Sequence, residues 1–191
     1  MDRRRFLTLA LNALLAAAAP ASAFAVDTRV SVSRRGDVFL VDAVLVAPVN
    51  AREAWRVLTD FDAMSSFVPN LETSRVTARS GERLRVEQTG MARWGPLTHA
   101  FSLVREIEME PMQQVRSHSL AESQMQVRSV TRFASVAGGT EIRHHIEIGV
   151  DTWMPAALVE PFLRHEVREQ FDAVVAEMLR RRAVEAVPAP R

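Results

Sequence analysis

The chain has 191 residues, 48% of them hydrophobic and 25% charged, with a formal net charge of +1. That is one domain's length with an ordinary globular balance, and too little basic excess for a nucleic-acid surface. There is no Cys and no Lys, so disulfides and thiolate metal sites are excluded, and the uniform use of Arg reads as a composition bias.

Arg3-Arg4-Arg5 precedes an apolar run over residues 6–19, and Ala21-Ser22-Ala23 and Ala23-Phe24-Ala25 are both small-x-small cleavage sites. The run is short for a spanning helix, which needs about 20 residues, so residues 1–25 are expected to form a cleavable export signal. Arg3-Arg4-Arg5-Phe6-Leu7 resembles the twin-arginine motif, although Asp2 and Thr8 stand where that motif carries Ser or Thr and Lys. The Sec route stays open; either route leads to the periplasm of a bacterium. Cleavage would leave 21 Arg against 22 Asp and Glu.

The mature domain is expected over residues 26–186, with a frayed tail at 187–191. Val38 to Ala47 is apolar on both parities except at Asp42, as in a strand covered on both sides. Pro48 ends it. Asn50 is placed to cap a short helix, with Glu53 three residues on completing a capping box. Ala54, Trp55 and Leu58 give that helix an apolar face, Asp60-Phe61-Asp62 breaks it, and a second short turn at 63–67 stops before Val68-Pro69. From residue 71 to 150, strand patterns alternate with turn signals at Ser80-Gly81, Gly95-Pro96, Glu110-Pro111, Glu122-Ser123 and Gly138-Gly139, an antiparallel meander. Ile142, His144, Ile146 and Ile148 form one face of a strand, as do His99, Phe101, Leu103, Arg105 and Ile107 of another. The parity of residues 71–79 and 112–121 stays open. A long helix is expected over 161–184, with Pro161 in its first turn and a separate helical turn before it at 155–159. Phe162, Leu163, Val167, Phe171, Val174, Val175, Met178 and Leu179 make its apolar stripe.

Several of these segments carry a family resemblance: Pro48…Ala54-Trp55…Leu58…Asp60-Phe61, Phe67-Val68-Pro69-Asn70, Ser74-Arg75-Val76, Gly139-Thr140, and the helix from Met154-Pro155 to Phe171. The order resembles the START-like (SRPBCC) superfamily, in the branch of polyketide cyclases, dehydrases and coenzyme Q-binding proteins, over roughly residues 38–182. The resemblance implies an α+β helix-grip fold. Its curved antiparallel sheet of six to seven strands wraps a long C-terminal helix, with two short helices after the first strand and an apolar cavity between sheet and helix.

Strand parity directs Gln88, His99, Arg105, Thr131 and His144 into the concave face, in keeping with an apolar site bearing a few converging polar groups. His144 is either a core histidine with a local partner or a ligand contact. Arg105 either meets a carboxylate or carbonyl of the ligand or reaches water at the sheet edge. Trp55, Phe61, Phe67, Trp94, Trp153 and Phe162 are candidates for the cavity lining or its rim. His165, Glu166 and Glu169 have the spacing H-E-x-x-E, a weak metal pattern, and neither a metal nor another cofactor is expected. Arg180, Arg181 and Arg182 complement the dipole at a helix end, and the same cations could touch anionic lipid.

The expected function is a periplasmic binding or carrier protein for a hydrophobic small molecule: a lipid, a quinone or a polyketide-like compound. A cyclase- or dehydrase-like enzyme using His99 or His144 with Arg105 is the first alternative, since no strand carboxylate points inward. A ligand-free module that packs against a partner is the second.

Overall fold

A computed structural model describes residues 27–94, 97–149 and 155–186. The expected export signal and the C-terminal tail therefore lie outside the described residues, as does Trp153. The elements run β1 (Arg29–Arg35), β2 (Val38–Ala47), α1 (Ala51–Leu58), a 3₁₀ helix (Phe61–Ser66), β3 (Leu71–Ser80), β4 (Arg83–Trp94), β5 (Leu97–Glu110), β6 (Gln114–Ser119), β7 (Gln126–Val136), β8 (Gly139–Gly149) and α2 (Ala156–Glu185). These strands form one antiparallel sheet in the order β1-β2-β8-β7-β6-β5-β4-β3. The α+β helix-grip architecture is thus present, with two corrections.

Among the described residues the sheet has eight strands, not six to seven. The additional β1 pairs with β2 at the sheet edge through a hairpin at Gly36, whose φ of +59° suits glycine. Its sequence, RVSVSRR, offers only Val30 and Val32 as a half-buried face, too weak an alternation to stand out beside the apolar β2. The second correction concerns α2, which is one continuous helix that absorbs residues 156–160. Pro161 is its sixth residue, beyond the first turn, where its ring removes one hydrogen bond near the helix start. Packing of Phe162, Val167 and Phe171 into the core outweighs that loss.

The start of α1 follows the capping expectation. Glu53 N–H donates to Asn50 Oδ1 and Asn50 N–H to Glu53 Oε2, both at 2.9 Å. At the start of β3, Asn70 C=O accepts from Met91 N–H at 3.0 Å. That close approach requires glycine at position 90, because a Cβ there would stand 2.0 Å from the same oxygen.

Two apolar clusters form the interior. One joins Val41, Ala43 and Leu45 of β2 and Ile142 of β8 to Val167, Phe171, Val174 and Met178 of α2. The other gathers Phe61, Leu84, Val86, Ile107 and Val115 beneath the far half of the sheet. One helix cannot fill the concavity of eight curved strands, and the space between the clusters stays open.

Candidate functional site

That space is a cavity of about 290 Å³, walled by residues of both clusters, by β4 to β8 and by one face of α2. Its polar groups stand in three sets. The first is centred on Arg105, at an inward position of β5. Its guanidinium donates to Gln88 Oε1 and, at 3.5 Å, to Ser117 Oγ. Ser117 in turn shares a 2.8 Å hydrogen bond with Ser129, and Gln88 Nε2 donates to Ser74 Oγ at 2.9 Å. No carboxylate among the described residues pairs with Arg105, and its Nε is buried without a hydrogen-bond acceptor. Arg105 is half-buried and lines the cavity. Burial pulls its pKa down to about 10, so it stays charged at neutral pH.

The second set pairs His144 of β8 with Thr131 of β7 at 2.7 Å, with the imidazole and the Phe171 ring in an edge-to-face contact at 5.2 Å between centroids. Burial foremost, then the Arg105 charge, lowers the His144 pKa to about 3. At neutral pH the ring is neutral and fixed by its partners.

The third set was not anticipated from the strand pattern. Glu166 projects from α2 into the cavity wall and is 4% exposed. Its Oε1 accepts from Arg93 N–H at 3.1 Å and its Oε2 from Asn70 Nδ2. Desolvation raises its pKa from the ordinary carboxylate value. A carboxylate in its accepting role orients the Asn70 amide, and Asn70 Oδ1 is left buried with no donor among the described residues.

Of the expected lining residues, Gln88, His99, Arg105, Thr131, His144, Phe61 and Phe162 do line the cavity, His99 as an exposed side chain at its margin. Trp55 does not. It turns its ring onto Phe133, 5.3 Å away and edge-on, in the layer between α1 and the sheet. Phe67 does not either, because it lies beneath the Arg181 guanidinium at 5.8 Å. The side chain of Trp94 and the whole of Trp153 lie outside the described residues. Sequence reasoning missed Asn70, Ser117, Ser129, Glu166 and Gln170. A signal for two of them was present: Glu166 and Gln170 continue the i, i+4 row begun by the buried Phe162. The side chains of His165 and Glu169 lie within metal-ligand reach of Glu166 but remain 46% exposed, while the Glu166 oxygens are engaged with Asn70 and Arg93.

At the basic end of α2 each of the three cations has a polar partner. Arg180 and Arg181 both hold Glu177 at 2.6 Å, Arg181 reaches Asp60 at 2.8 Å, and Arg182 donates to Pro48 C=O. Arg181 and Arg182 tie α2 to the segment between β2 and β3, whereas Arg180 pairs only with Glu177 of its own helix and keeps 63% of its side chain exposed.

The family of polyketide cyclases/dehydrases and lipid transport matches residues 47–175, about two thirds of the chain. The chain belongs to this family. No curated protein sequence matches it significantly. Among solved structures it resembles the TTHA0849 protein of Thermus thermophilus, with a TM-score of 0.64 and 16% identity over 73% of this chain and 97% of that one. It also resembles the Zhui aromatase/cyclase of Streptomyces sp. R1128, at 0.63 and 12% over 75% and 95% of the two chains. A third is a STAR-related lipid transfer protein of Xanthomonas axonopodis, at 0.60 and 11% over 78% and 98%. At these identities the likeness concerns the fold. Structural relatives of this family member thus include both a lipid transfer protein and an aromatase/cyclase, and the site itself must decide between binding and chemistry.

Proposed function

We propose that this protein binds and carries a hydrophobic small molecule (a lipid, a quinone or a polyketide-like ring system) between the sheet and α2, in the periplasm. One observation carries the reading: a cavity of about 290 Å³ whose walls are mostly apolar side chains, close to the lower end of the usual size of small-molecule sites. Family membership and a lipid-transfer structural relative support it. The leader pattern Arg3-Arg4-Arg5 followed by an apolar run supports export. The cavity stands where a purely partner-binding module would have a filled core. For a His144-centred enzyme, an imidazole with a pKa near 3 is too weak a base at neutral pH to take a proton effectively.

The test is native mass spectrometry, with organic extraction, of the protein exported by its own host. A stoichiometric apolar ligand is expected. A protein that is empty, and that also refuses quinones and lipids added in vitro, would end the carrier reading.

A cyclase- or dehydrase-like activity is the second reading, and Glu166 is the observation that favours it. It is a carboxyl in the cavity wall whose pKa desolvation raises, a suitable acid–base group. Under that reading, Glu166→Gln abolishes turnover and leaves ligand affinity nearly unchanged.

A further inference from the structure

Among the described residues, two buried polar atoms at this cavity have no partner, and they are complementary in kind. Arg105 Nε is a donor without an acceptor, and Asn70 Oδ1 is an acceptor without a donor. Buried groups left unsatisfied are uncommon in folded proteins, and each is costly in a dry site. Both residues line the same cavity, so a turn of each side chain lets one bound molecule reach both.

Their separation follows from strand register. Asn70 C=O bonds Met91 N–H beside Gly90, and Gly90 stands opposite Phe101, while Arg105 stands opposite Val86. The Asn70 end and the Arg105 end are thus four strand positions apart, roughly 13 Å along β4 and β5. Apolar side chains, Phe101, Leu103 and Phe162 among them, wall the space around that line.

The two ends also differ in charge. At one end the guanidinium has only neutral partners, Gln88 and Ser117. At the other the Glu166 carboxyl stands beside Asn70. An acidic group is therefore drawn to Arg105 and repelled from the Asn70 end, which favours a hydroxyl that can donate to Oδ1.

We infer that the cavity selects a bipolar ligand: an apolar body with a carboxylate or other acidic group that meets Arg105 and a hydroxyl about one cavity length away that meets Asn70. This rests on the carrier reading and specifies its ligand class, an ω-hydroxylated or similarly two-ended acid.

The experiment is displacement of a fluorescent fatty-acid probe from the delipidated full-length mature protein. The competitors are ω-hydroxydodecanoic acid, dodecanoic acid and the methyl ester of ω-hydroxydodecanoic acid. The hydroxy acid should bind about tenfold more tightly than its methyl ester and about threefold more tightly than the plain acid. Arg105→Gln should remove the first preference and keep the second; Asn70→Ala should do the reverse. If the wild-type protein binds acid and ester alike, or hydroxylated and plain acids alike, the inference is overturned while the carrier reading stands. If neither probe nor any competitor binds, the inference falls, and the carrier reading is decided by its own extraction and quinone-binding test. The wild-type comparison needs no variant, so it decides the matter even if a substitution unfolds the protein.

Discussion

His144 shows how burial turns a side chain that normally titrates near neutrality into a fixed hydrogen-bonding group. Its pKa falls from 6.5 to about 3, first because burial disfavours the imidazolium and then because the Arg105 charge opposes it. The unfolded chain takes up this proton below about pH 6.5, the folded chain only near 3, so the neutral ring's contribution is complete above 6.5 and is lost as pH falls through that window. Two pH units below the ordinary value, the loss is about 2–3 kcal/mol. Denaturant midpoints measured from pH 6.5 down to about 4.5 should therefore fall in the wild type, and the slope should flatten in His144→Gln. In Arg105→Gln, the His144 ring followed by NMR should titrate at a higher pH than in the wild type, because one of the charges opposing its protonation is gone. Such residues were partly legible beforehand. Alternation placed His144 and Arg105 on inward faces, but whether each had a partner depended on Thr131, Gln88 and Ser117, which come from other strands.

At the scale of elements, α2 is joined to the rest of the molecule by charge as well as by its apolar stripe. Glu177 is 7% exposed, and its pKa is lowered to about 2, with hydrogen bonds from Arg180 first and Arg181 next outweighing its desolvation. That contribution is present above about pH 4.5 and is lost as pH falls toward 2. Glu177→Ala should cost about 1–2 kcal/mol at neutral pH, read as a lower Tm, because it releases two guanidiniums at once. A double-mutant cycle with Asp60→Ala should show coupling, since Arg181 bridges both carboxylates. Gly90→Ala should also destabilise, by more than about 1 kcal/mol, because the added methyl meets a backbone oxygen and the Phe101 ring, and the oxygen cannot swing aside. The capping box and the apolar stripe were visible in the sequence because both are local, set by spacings of three and four residues. The clamp was not. Glu177 and Arg181 are helical neighbours, but Asp60 lies 121 residues away in the chain.

At the scale of the whole molecule, an eight-stranded sheet against one long helix leaves two apolar clusters with open space between them. An empty cavity forgoes the dispersion contacts that a filled one would have, so occupancy should stabilise the fold and raise Tm with ligand concentration. Leu163→Trp, which adds volume at the cavity wall on α2, should leave the circular dichroism spectrum unchanged and Tm equal or higher, while abolishing the extractable ligand. A stable variant that still carried ligand would show that this cavity is not the binding site.

The sequence by itself determined the antiparallel meander, the capped short helix, the apolar stripe of α2 and the inward parity of β5 and β8. Each of these depends on residues close together along the chain, where a period of two or 3.6 is legible. Tertiary structure alone decided which helix residue joined the strand residues, and so brought Glu166 to Asn70 across 96 positions. It also decided that Trp55 and Phe67 face away from the cavity, that Arg181 and Arg182 reach Asp60 and Pro48, and that Arg105 meets no carboxylate among the described residues. The reason is geometric: a periodic pattern tells which side of an element faces inward, whereas a partner depends on how two elements cross.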